Sequence, residues 1–256
     1  MAYRNHNVDY PPPRYPPDSL IQNFTMNGQM PIIQYLYFEP RPANSSPPTF
    51  NASYLDELIT KVNEGVRVNT YAAGSCVEGT LNRRKGDITG KRGVVIGTVT
   101  PWLEAILLAY GASHVTTLEY SKLDLQHTQL EMLTPYEFAD SYLNGEVNQF
   151  DFGATFSSLE HSGLGRYTDP LNPYGDLEAM AQAWCMIKPG GLFLLGIPCS
   201  RHGPGYIVWN AHRVYGKVRL RQMTTNWKVL QVVKCHDFHS LFVLQKPRWC
   251  ANNSTC

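Results

Sequence analysis

From Gly93 onward, short apolar segments alternate with stretches of helical periodicity, and this alternation restricts the possible folds more than any other feature of the chain. Short buried strands separated by helices are typical of a parallel β-sheet that is covered on both faces. Only a tight turn around residues 237–239 separates the last two segments, which predicts an antiparallel hairpin at one sheet edge. Seven strands are predicted, over residues 93–98, 114–119, 129–133, 150–157, 191–197, 227–236 and 240–246.

The first 50 residues differ from the rest because proline and polar residues dominate them. Such a composition favours polyproline or irregular backbone over packed elements. We therefore expect a proline-rich arm over residues 1–50, a Rossmann-like domain over residues 51–247 and a short tail over residues 248–256. Two segments near this boundary are more regular: residues 31–38 are apolar enough to dock onto the domain, and residues 54–62 have helical spacing with Ser53 as a plausible N-cap.

The overall charge and hydropathy exclude two classes of partner. The chain has 22 Lys and Arg against 21 Asp and Glu, and a net charge of +1 provides no electrostatic footprint for a phosphate backbone. No nucleic-acid partner is therefore expected. No apolar run approaches the ~18–20 residues that cross a bilayer, so no integral membrane segment is expected either. The sequence leaves the oligomeric state open.

Two features bear on the cellular compartment, and they disagree. The residues after Met1 lack the charged and then apolar pattern of a secretory signal, which favours the cytoplasm. Asn-x-Ser/Thr sequons are more frequent than the roughly two expected by chance, which would suit the secretory lumen if Met1 is not the natural start. The five sequons are at Asn23, Asn44, Asn51, Asn252 and Asn253.

The six cysteines show neither Cys-x-x-Cys spacing nor the density of a small disulfide-rich domain. Cys185 and Cys199 lie in apolar runs, where buried thiols are the simpler interpretation.

The most informative functional signal is an acidic residue 22 positions after a glycine. Gly97 follows the first predicted strand, a helical stretch comes next, and Glu119 ends the second strand. In nucleotide-binding doubly wound sheets, this spacing places a carboxylate where it accepts hydrogen bonds from both ribose hydroxyls. Val99 and Pro101 stand where dinucleotide-binding turns prefer glycine, so close approach of a pyrophosphate is not expected, and a ligand without a phosphate is still compatible. The alternative is that Glu119 caps a helix or pairs with Lys122 or Lys91.

Four longer strings within residues 70–247 carry a resemblance: PWLEA at 101–105, TTLEY at 116–120, LEHSGLGRY at 159–167 and NAHRVYG at 210–216. Together they resemble an uncharacterised family, domain of unknown function 268. The strand order, the acidic strand end and the late hairpin are also similar to the class I S-adenosylmethionine-dependent methyltransferases. The resemblance implies an α/β fold with a Rossmann-like seven-stranded class I methyltransferase-type sheet and a terminal antiparallel hairpin, with S-adenosylmethionine as cofactor.

This resemblance also implies roles for residues at the strand ends. Gly97 and Thr98 would lie beneath the methionine part of the cofactor, and Glu119 would hold the ribose. Thr134 follows the third strand, in the region where many such enzymes contact the adenine. Ser157 ends the fourth strand, where the methyl donor and the acceptor meet.

Methyl transfer is an in-line displacement at a sulfonium, so the protein needs a base only if the acceptor loses a proton. His161 is the first candidate base, because it follows a polar strand end in a glycine-rich loop, although ordering that loop is an equal alternative. His202, after the fifth predicted strand, is the second candidate. No metal site is expected, because no spacing places two candidate ligands on one helical face.

A polar cluster follows the fifth predicted strand and must return across the edge where doubly wound sheets bind their ligands. Guanidinium groups of Arg166, Arg201 and Arg213 would suit an anionic acceptor, such as a carboxylate or a sugar acid. The alternative is that Arg213 pairs with Glu160 or Asp176 and fixes the loops. The predicted acceptor-binding residues are Arg166, Arg201, Asn210, His212, Arg213 and Tyr215.

The sequence thus predicts a methyltransferase that uses S-adenosylmethionine and acts on a small-molecule or glycan-like acceptor. One alternative is a non-catalytic domain that keeps the scaffold to bind a partner or a sugar, because a fold does not by itself imply an activity. Another is an enzyme of nucleotide-sugar or glycan metabolism in the secretory lumen.

Overall fold

The structure, a computed structural model, describes residues 12–39, 45–69, 71–146, 148–200, 203–236 and 238–248. Seven α-helices lie within these residues: α1 (Asp18–Phe24), α2 (Ala52–Asn63), α3 (Ser75–Asn82), α4 (Trp102–Ala109), α5 (Pro135–Leu143), α6 (Gly175–Met186) and α7 (Lys217–Met223). The same residues contain twelve β-strands: β1 (Ile32–Tyr35), β2 (Thr49–Phe50), β3 (Arg92–Ile96), β4 (His114–Leu118), β5 (Asp124–Leu125), β6 (Leu130–Leu133), β7 (Phe150–Phe156), β8 (Ile187–Pro198), β9 (Gly205–Trp209), β10 (His212–Tyr215), β11 (Lys228–Lys234) and β12 (His239–Gln245).

Seven of these strands form the central sheet, in the order β11-β12-β8-β7-β3-β4-β6. Neighbouring strands are parallel, except that β12 is antiparallel to both β8 and β11. The seven predicted strands and the antiparallel hairpin at the sheet edge are confirmed. The strand order reverses between β3 and β7, and ligands of doubly wound sheets bind outside the carboxyl ends of the strands at such a point.

Apolar layers cover both faces of the sheet, because successive side chains of a strand point to opposite faces. Val95 belongs to the core formed with α2, α3 and α4, whereas its neighbour Val94 belongs to the core formed with α5, α6 and α7. Along β12, Leu241 and Val243 lie on the first face and Phe242 on the second. The near-continuous apolar runs of the sequence follow from this burial on both faces.

Residues 12–39, the longest described part of the N-terminal segment, pack onto the domain, which differs from the irregular backbone that the proline content predicts. β1 pairs in parallel with β9 in a three-stranded sheet that β10 completes, and this confirms that residues 31–38 dock onto the domain. Phe24 of α1 is fully buried, and its ring centroid lies 5.0 Å from that of Trp209. The prolines are tolerated because Pro17 is the N-cap of α1 and Pro31 precedes β1, so neither interrupts an element.

The helix predicted over residues 54–62 is α2, but its N-cap is Asn51 rather than Ser53. The Asn51 side-chain oxygen accepts a hydrogen bond from the Tyr54 N–H at 2.9 Å. Asparagine and serine cap helices about equally well, so residue type alone did not fix the first turn. Ser53 is instead an exposed residue within the helix.

A disulfide joins Cys76 in α3 to Cys235, the residue just after β11, across 159 positions of the chain. The two Cα atoms lie 5.7 Å apart, within the range that a disulfide spans. The bond fastens a helix that precedes the central sheet to the edge strand of that sheet. Cys185 and Cys199 carry thiols and are half-buried, whereas the last two cysteines lie outside the described residues.

We expect loss of the disulfide to lower the free energy of unfolding by about 2–5 kcal/mol, because the bond closes a long loop and restricts the unfolded chain. Urea unfolding of a Cys76→Ser, Cys235→Ser double variant against the oxidised wild type measures this change. The matched control is Cys185→Ser, Cys199→Ser, which breaks no cross-link and should move the midpoint much less. Equal stability of the first variant and the wild type would contradict the prediction.

Candidate functional site

Two cavities open where the carboxyl ends of β3, β4 and β7 meet. The larger cavity, of about 310 Å³, extends between α5 and α6, and the smaller cavity, of about 50 Å³, lies against residues 97–103. Both are at the reversal of strand order, where a ligand of this class of sheet is expected. The residues that line both cavities are Gly97, Glu119, Ser158, His161 and Tyr167.

The walls of the larger cavity are mainly apolar. Phe138 and Tyr142 contribute from α5, and Ala179 and Met186 contribute from α6. Polar groups such as Glu119 lie at the end nearest the strand ends. An apolar cavity with a few polar groups is the usual form of a small-molecule site.

The backbone at two of the strand ends adopts the left-handed conformation. Gly97 has a φ of +77°, and a Cβ there would lie 1.7 Å from the Ser158 hydroxyl, so only glycine fits. Ser157 has a φ of +53°, which costs a non-glycine residue on the order of 1–3 kcal/mol. Strained conformations such as that of Ser157 concentrate at ligand sites, and Ser157 lies in the wall of the smaller cavity.

Glu119 is partly buried, and its carboxylate accepts three backbone hydrogen bonds. One oxygen accepts from the Thr98 N–H at 3.0 Å, and the other accepts from the Tyr120 and Ser121 N–H groups at 2.7 and 3.2 Å. A carboxylate has about four acceptor positions, so one is left for a ligand. Burial raises the pKa of Glu119 to about 7 in spite of these bonds. Lys122, a candidate partner in the sequence, pairs with another carboxylate, on Glu137.

The structure separates the two predicted cofactor-binding threonines. Thr98 lines the smaller cavity, and its hydroxyl donates to the Thr100 carbonyl at 2.7 Å. Thr134 lines neither cavity, because it is the N-cap of α5 and forms a capping box with Glu137.

Sequence reasoning missed Glu104 of α4, whose carboxyl group is fully buried. Burial raises the pKa of Glu104 to about 7, and its carboxyl group accepts a hydrogen bond from the Thr117 hydroxyl at 2.9 Å.

His161 combines a structural contact with a position in both cavity walls. Its Nδ1 lies 2.5 Å from the Ala211 carbonyl, so the neutral ring donates there and keeps Nε2 as an acceptor. Burial and, to a smaller extent, the nearby Arg166 lower the pKa of His161 to about 3. The ring is therefore neutral near pH 7 and ties its loop to the β9–β10 turn. His202, the other predicted base, and Arg201 lie outside the described residues.

Arg166 and Asn210 fasten the N-terminal segment beside the cavities. The Arg166 guanidinium lies over the rings of Phe38 and Tyr167, at 4.3 and 5.0 Å from their centroids. Asn210 is fully buried and makes two hydrogen bonds to the Phe38 backbone, at 2.9 and 3.0 Å. His212 is partly buried, with its ring centroid 6.3 Å from that of His161, and burial lowers its pKa. None of these three predicted acceptor-binding residues is among those lining either cavity.

Arg213 and Tyr215 belong to a buried ionic network around Asp176, the second residue of α6. The Tyr215 hydroxyl donates to Asp176 at 3.0 Å, Arg219 forms a salt bridge with it, and the Arg213 Nε lies 3.9 Å away. Arg213 also donates to the Ser162 carbonyl at 2.6 Å, so it occupies the alternative position in which it fixes the loops. Burial by itself would raise the pKa of Asp176, but the two guanidinium groups outweigh it and hold the pKa below its ordinary value.

A second polar cluster lies at the end of β7. The Ser157 hydroxyl donates to the Glu160 carboxylate at 2.7 Å, and the His239 Nε2 lies 3.4 Å from the same hydroxyl. Glu160 is buried, which raises its pKa to about 7. The His239 ring stacks on Phe156, with centroids 5.7 Å apart. Sequence reasoning missed His239, although the first residue of an antiparallel strand lies beside the end of the preceding strand, and His239 pairs with Pro198 at the end of β8.

Two kinds of feature are absent from the part of the chain that the structure describes. It contains no group of three or more His, Cys, Asp or Glu side chains that could hold a metal ion. It also contains no helix that is long and apolar enough to cross a membrane.

The fold is that of the class I methyltransferases. It is similar to Burkholderia thailandensis 1,6-didemethyltoxoflavin-N1-methyltransferase with bound 1,6-didemethyltoxoflavin and S-adenosylhomocysteine, with a TM-score of 0.52, 14% identity and coverage of 82% of this chain and 94% of that chain. N-methyltransferase NodS from Bradyrhizobium japonicum WM9 in complex with S-adenosylhomocysteine gives a TM-score of 0.47 at 14% identity, over 76% of this chain and 97% of that chain. Residues 90–246 match DUF268, described as Caenorhabditis protein of unknown function, and the chain belongs to this family. No curated protein matches the sequence.

We expect Asp176→Asn to lower the free energy of unfolding by about 3–5 kcal/mol at pH 7, because it leaves two buried guanidinium groups without a counter-charge. Urea unfolding measures the change, and Asp124→Asn, at an exposed carboxylate of β5, should stay within about 0.5 kcal/mol of the wild type.

The same network predicts a pH dependence. The pKa of Asp176 is lowered in the folded state, so its contribution is fully present above the ordinary value of 3.8 and is lost as the pH falls through the lower folded value. The difference between the wild type and Asp176→Asn should therefore shrink on acidification. A difference that stays constant from pH 7 to pH 2 would show that Asp176 is not the titrating group.

Proposed function

We propose that the protein is a methyltransferase that uses S-adenosylmethionine and acts on a small-molecule or glycan-like acceptor. The observation that carries this proposal is the Glu119 carboxylate, which lies in the wall shared by both cavities, at the carboxyl end of β4 and 22 residues after Gly97. A carboxylate in that position suits a ribose hydroxyl, and Glu119 has one acceptor position left for it. The methyltransferase from Burkholderia thailandensis that shares the fold has S-adenosylhomocysteine bound.

The charges around the cavities fit a nucleoside that bears a positive charge and no phosphate. Among the described residues, no lysine or arginine lines either cavity, whereas Glu119 and Asp169 do. A phosphate would need basic side chains or a series of free N–H groups. The positively charged sulfonium of S-adenosylmethionine would need neither basic side chains nor free N–H groups, and nearby acidic groups would stabilise its charge.

Residues around the two cavities suit the ribose and the adenine of this cofactor. Glu119 would hold the ribose, and the Gly97 backbone would allow close approach. Tyr120 and Tyr136, whose ring centroids lie 6.2 Å apart, flank the larger cavity and would receive the adenine. When bound, S-adenosylmethionine would supply an activated methyl group. The smaller cavity, which Thr98 and others line, would then hold the reacting atom of the acceptor and exclude water from it.

An acceptor hydroxyl or amine would lose a proton on methylation, and the cluster around Ser157 is suited to take it. Ser157 lines the smaller cavity and lies within reach of both Glu160 and the His239 Nε2. His161 is a weak base because burial lowers its pKa to about 3, so we assign it to ordering the loop and to accepting a hydrogen bond from the acceptor.

One observation favours a non-catalytic scaffold as the second candidate. The Glu119 carboxylate already accepts three backbone hydrogen bonds, which is what a purely structural cap would do. Val99 and Pro101 also replace glycines that would let a cofactor approach the turn closely. In that case the larger cavity would bind a different ligand.

Calorimetric titration with S-adenosylmethionine and S-adenosylhomocysteine separates the two candidates. We expect micromolar binding that Glu119→Gln weakens by about 1–3 kcal/mol, the usual cost of losing a hydrogen bond to a charged group. The matched control is Glu131→Gln, which changes an exposed carboxylate on neighbouring β6 and should bind as the wild type does. No binding up to millimolar concentrations would instead favour the scaffold.

The raised pKa of Glu119 predicts that this binding depends on pH. Beside its three backbone hydrogen bonds, the ionised carboxylate keeps one acceptor position for a ribose hydroxyl, whereas protonation turns one oxygen into a donor; its pKa is about 7 without ligand. The affinity should therefore rise by up to about tenfold between pH 6 and pH 8, as the ionised fraction increases. Titrations at both pH values test this, and Glu119→Gln should abolish the dependence. A wild-type affinity that is equal at both pH values would remove Glu119 from the site.

A further inference from the structure

The sequons and the disulfide are features that the proposed function does not use. We propose that Asn23 and Asn51 are N-glycosylation sites and that the protein folds in the secretory lumen. In this modification, the asparagine Nδ2 forms a bond to the anomeric carbon of a sugar. The donor is an oligosaccharide carried on a polyprenyl diphosphate, the lipid diphosphate is the leaving group, and the amide nitrogen loses one proton.

Asn51 presents the atom that would be modified. It is exposed at the start of α2, where its side-chain oxygen accepts the capping hydrogen bond from the Tyr54 N–H at 2.9 Å. The cap uses only the oxygen, and Nδ2 has no hydrogen bond to any residue in the described ranges. A glycan on Nδ2 is therefore compatible with the folded helix. Ser53, the third residue of this sequon, is exposed as well.

Asn23 lies in the last turn of α1, and its side chain is exposed. The two residues that follow it have structural roles: Phe24 is fully buried, and the Thr25 hydroxyl donates to the Ile21 carbonyl at 2.8 Å. A transferase could reach this sequon only before α1 packs, and a glycan added then would remain outside the fold. A chain that is glycosylated as it enters the lumen is modified before it folds, so the sequon of Asn23 would be accessible at that stage.

The distribution of sequons supports this assignment. The family-matched residues 90–246 contain five asparagines, and none of them is in a sequon. Both sequons within the described residues have an exposed asparagine. The remaining three, at Asn44, Asn252 and Asn253, lie outside the described residues.

The disulfide points independently to the same compartment. Disulfides form and persist in oxidising compartments, whereas cytosolic thiols are kept reduced. Cys76 lies before the family-matched residues and Cys235 lies within them, so the bond ties the preceding segment covalently to the sheet domain. In a reducing compartment, Cys76 and Cys235 would remain thiols. Two thiols that are 159 positions apart in the chain would have no reason to lie within disulfide distance of each other.

The test is mass spectrometry of the full chain expressed in animal cells. Peptide:N-glycosidase F in ¹⁸O-water converts each glycosylated asparagine into labelled aspartate, and digestion without reduction after alkylation recovers intact disulfides. We expect the label at Asn23 and Asn51, together with a linked Cys76–Cys235 peptide. Unlabelled asparagine at both positions, or alkylated thiols at both cysteines, would overturn the proposal.

Paired variants separate glycosylation from folding. Ser53→Ala removes the sequon of Asn51 but keeps the capping side chain, whereas Ser53→Thr keeps the sequon. The first variant should lose the mass of one glycan and the second should not. The corresponding pair for Asn23 is Asn23→Gln, which removes the sequon, and Thr25→Ser, which keeps it. Identical masses within each pair would overturn the assignment of that site.

Discussion

The parallel pairing of β3 with both β4 and β7 places the candidate site. Ile96 of β3 lies opposite Leu118 of β4, and Val95 lies opposite Ala154 of β7, so the three strands end at the same edge of the sheet. Glu119 and Ser157, which are 38 positions apart, thereby come to the two sides of Gly97. Because Gly97 has no side chain, the Ser158 hydroxyl can pack directly on its backbone. The cavities and their polar groups all depend on this registration.

The chain keeps its buried cations apart from the cavities. Arg213 and Arg219 share the single counter-charge of Asp176 inside the protein, and Arg166 lies over aromatic rings. Among the described residues, by contrast, neither Glu119 nor Glu160 forms a salt bridge with a lysine or an arginine, and burial raises the pKa values of both to about 7. The described part of the site therefore has no lysine or arginine in its walls and can change its negative charge near neutral pH. This arrangement suits a cationic ligand better than an anionic one.

Sequence reasoning succeeded where a local pattern has one structural outcome. The apolar segments predicted the seven strands, and the short turn before His239 predicted the hairpin, because a connection without a helix cannot form a parallel crossover. The reasoning was less successful where charge was involved. The sequence around Arg213 and Arg219 contains no pattern that distinguishes a buried arginine from a ligand-binding one, because arginines of either kind occur in similar loops and helices. The prolines before β1 likewise favoured irregular backbone, because no local pattern indicates that β9 is available as a partner.

The sequence alone determined the order of strands and helices and the presence of a carboxylate after the second strand of the domain. These follow from periodicity and spacing, which are local properties of the chain. Only the tertiary structure decided which polar groups share a cavity, because that depends on strand register and on the packing of distant segments. His239 reaches Ser157 through the register of β12 against β8, and Cys76 reaches Cys235 across 159 positions. Contacts of this kind depend on long-range packing, so no window of the sequence contains them.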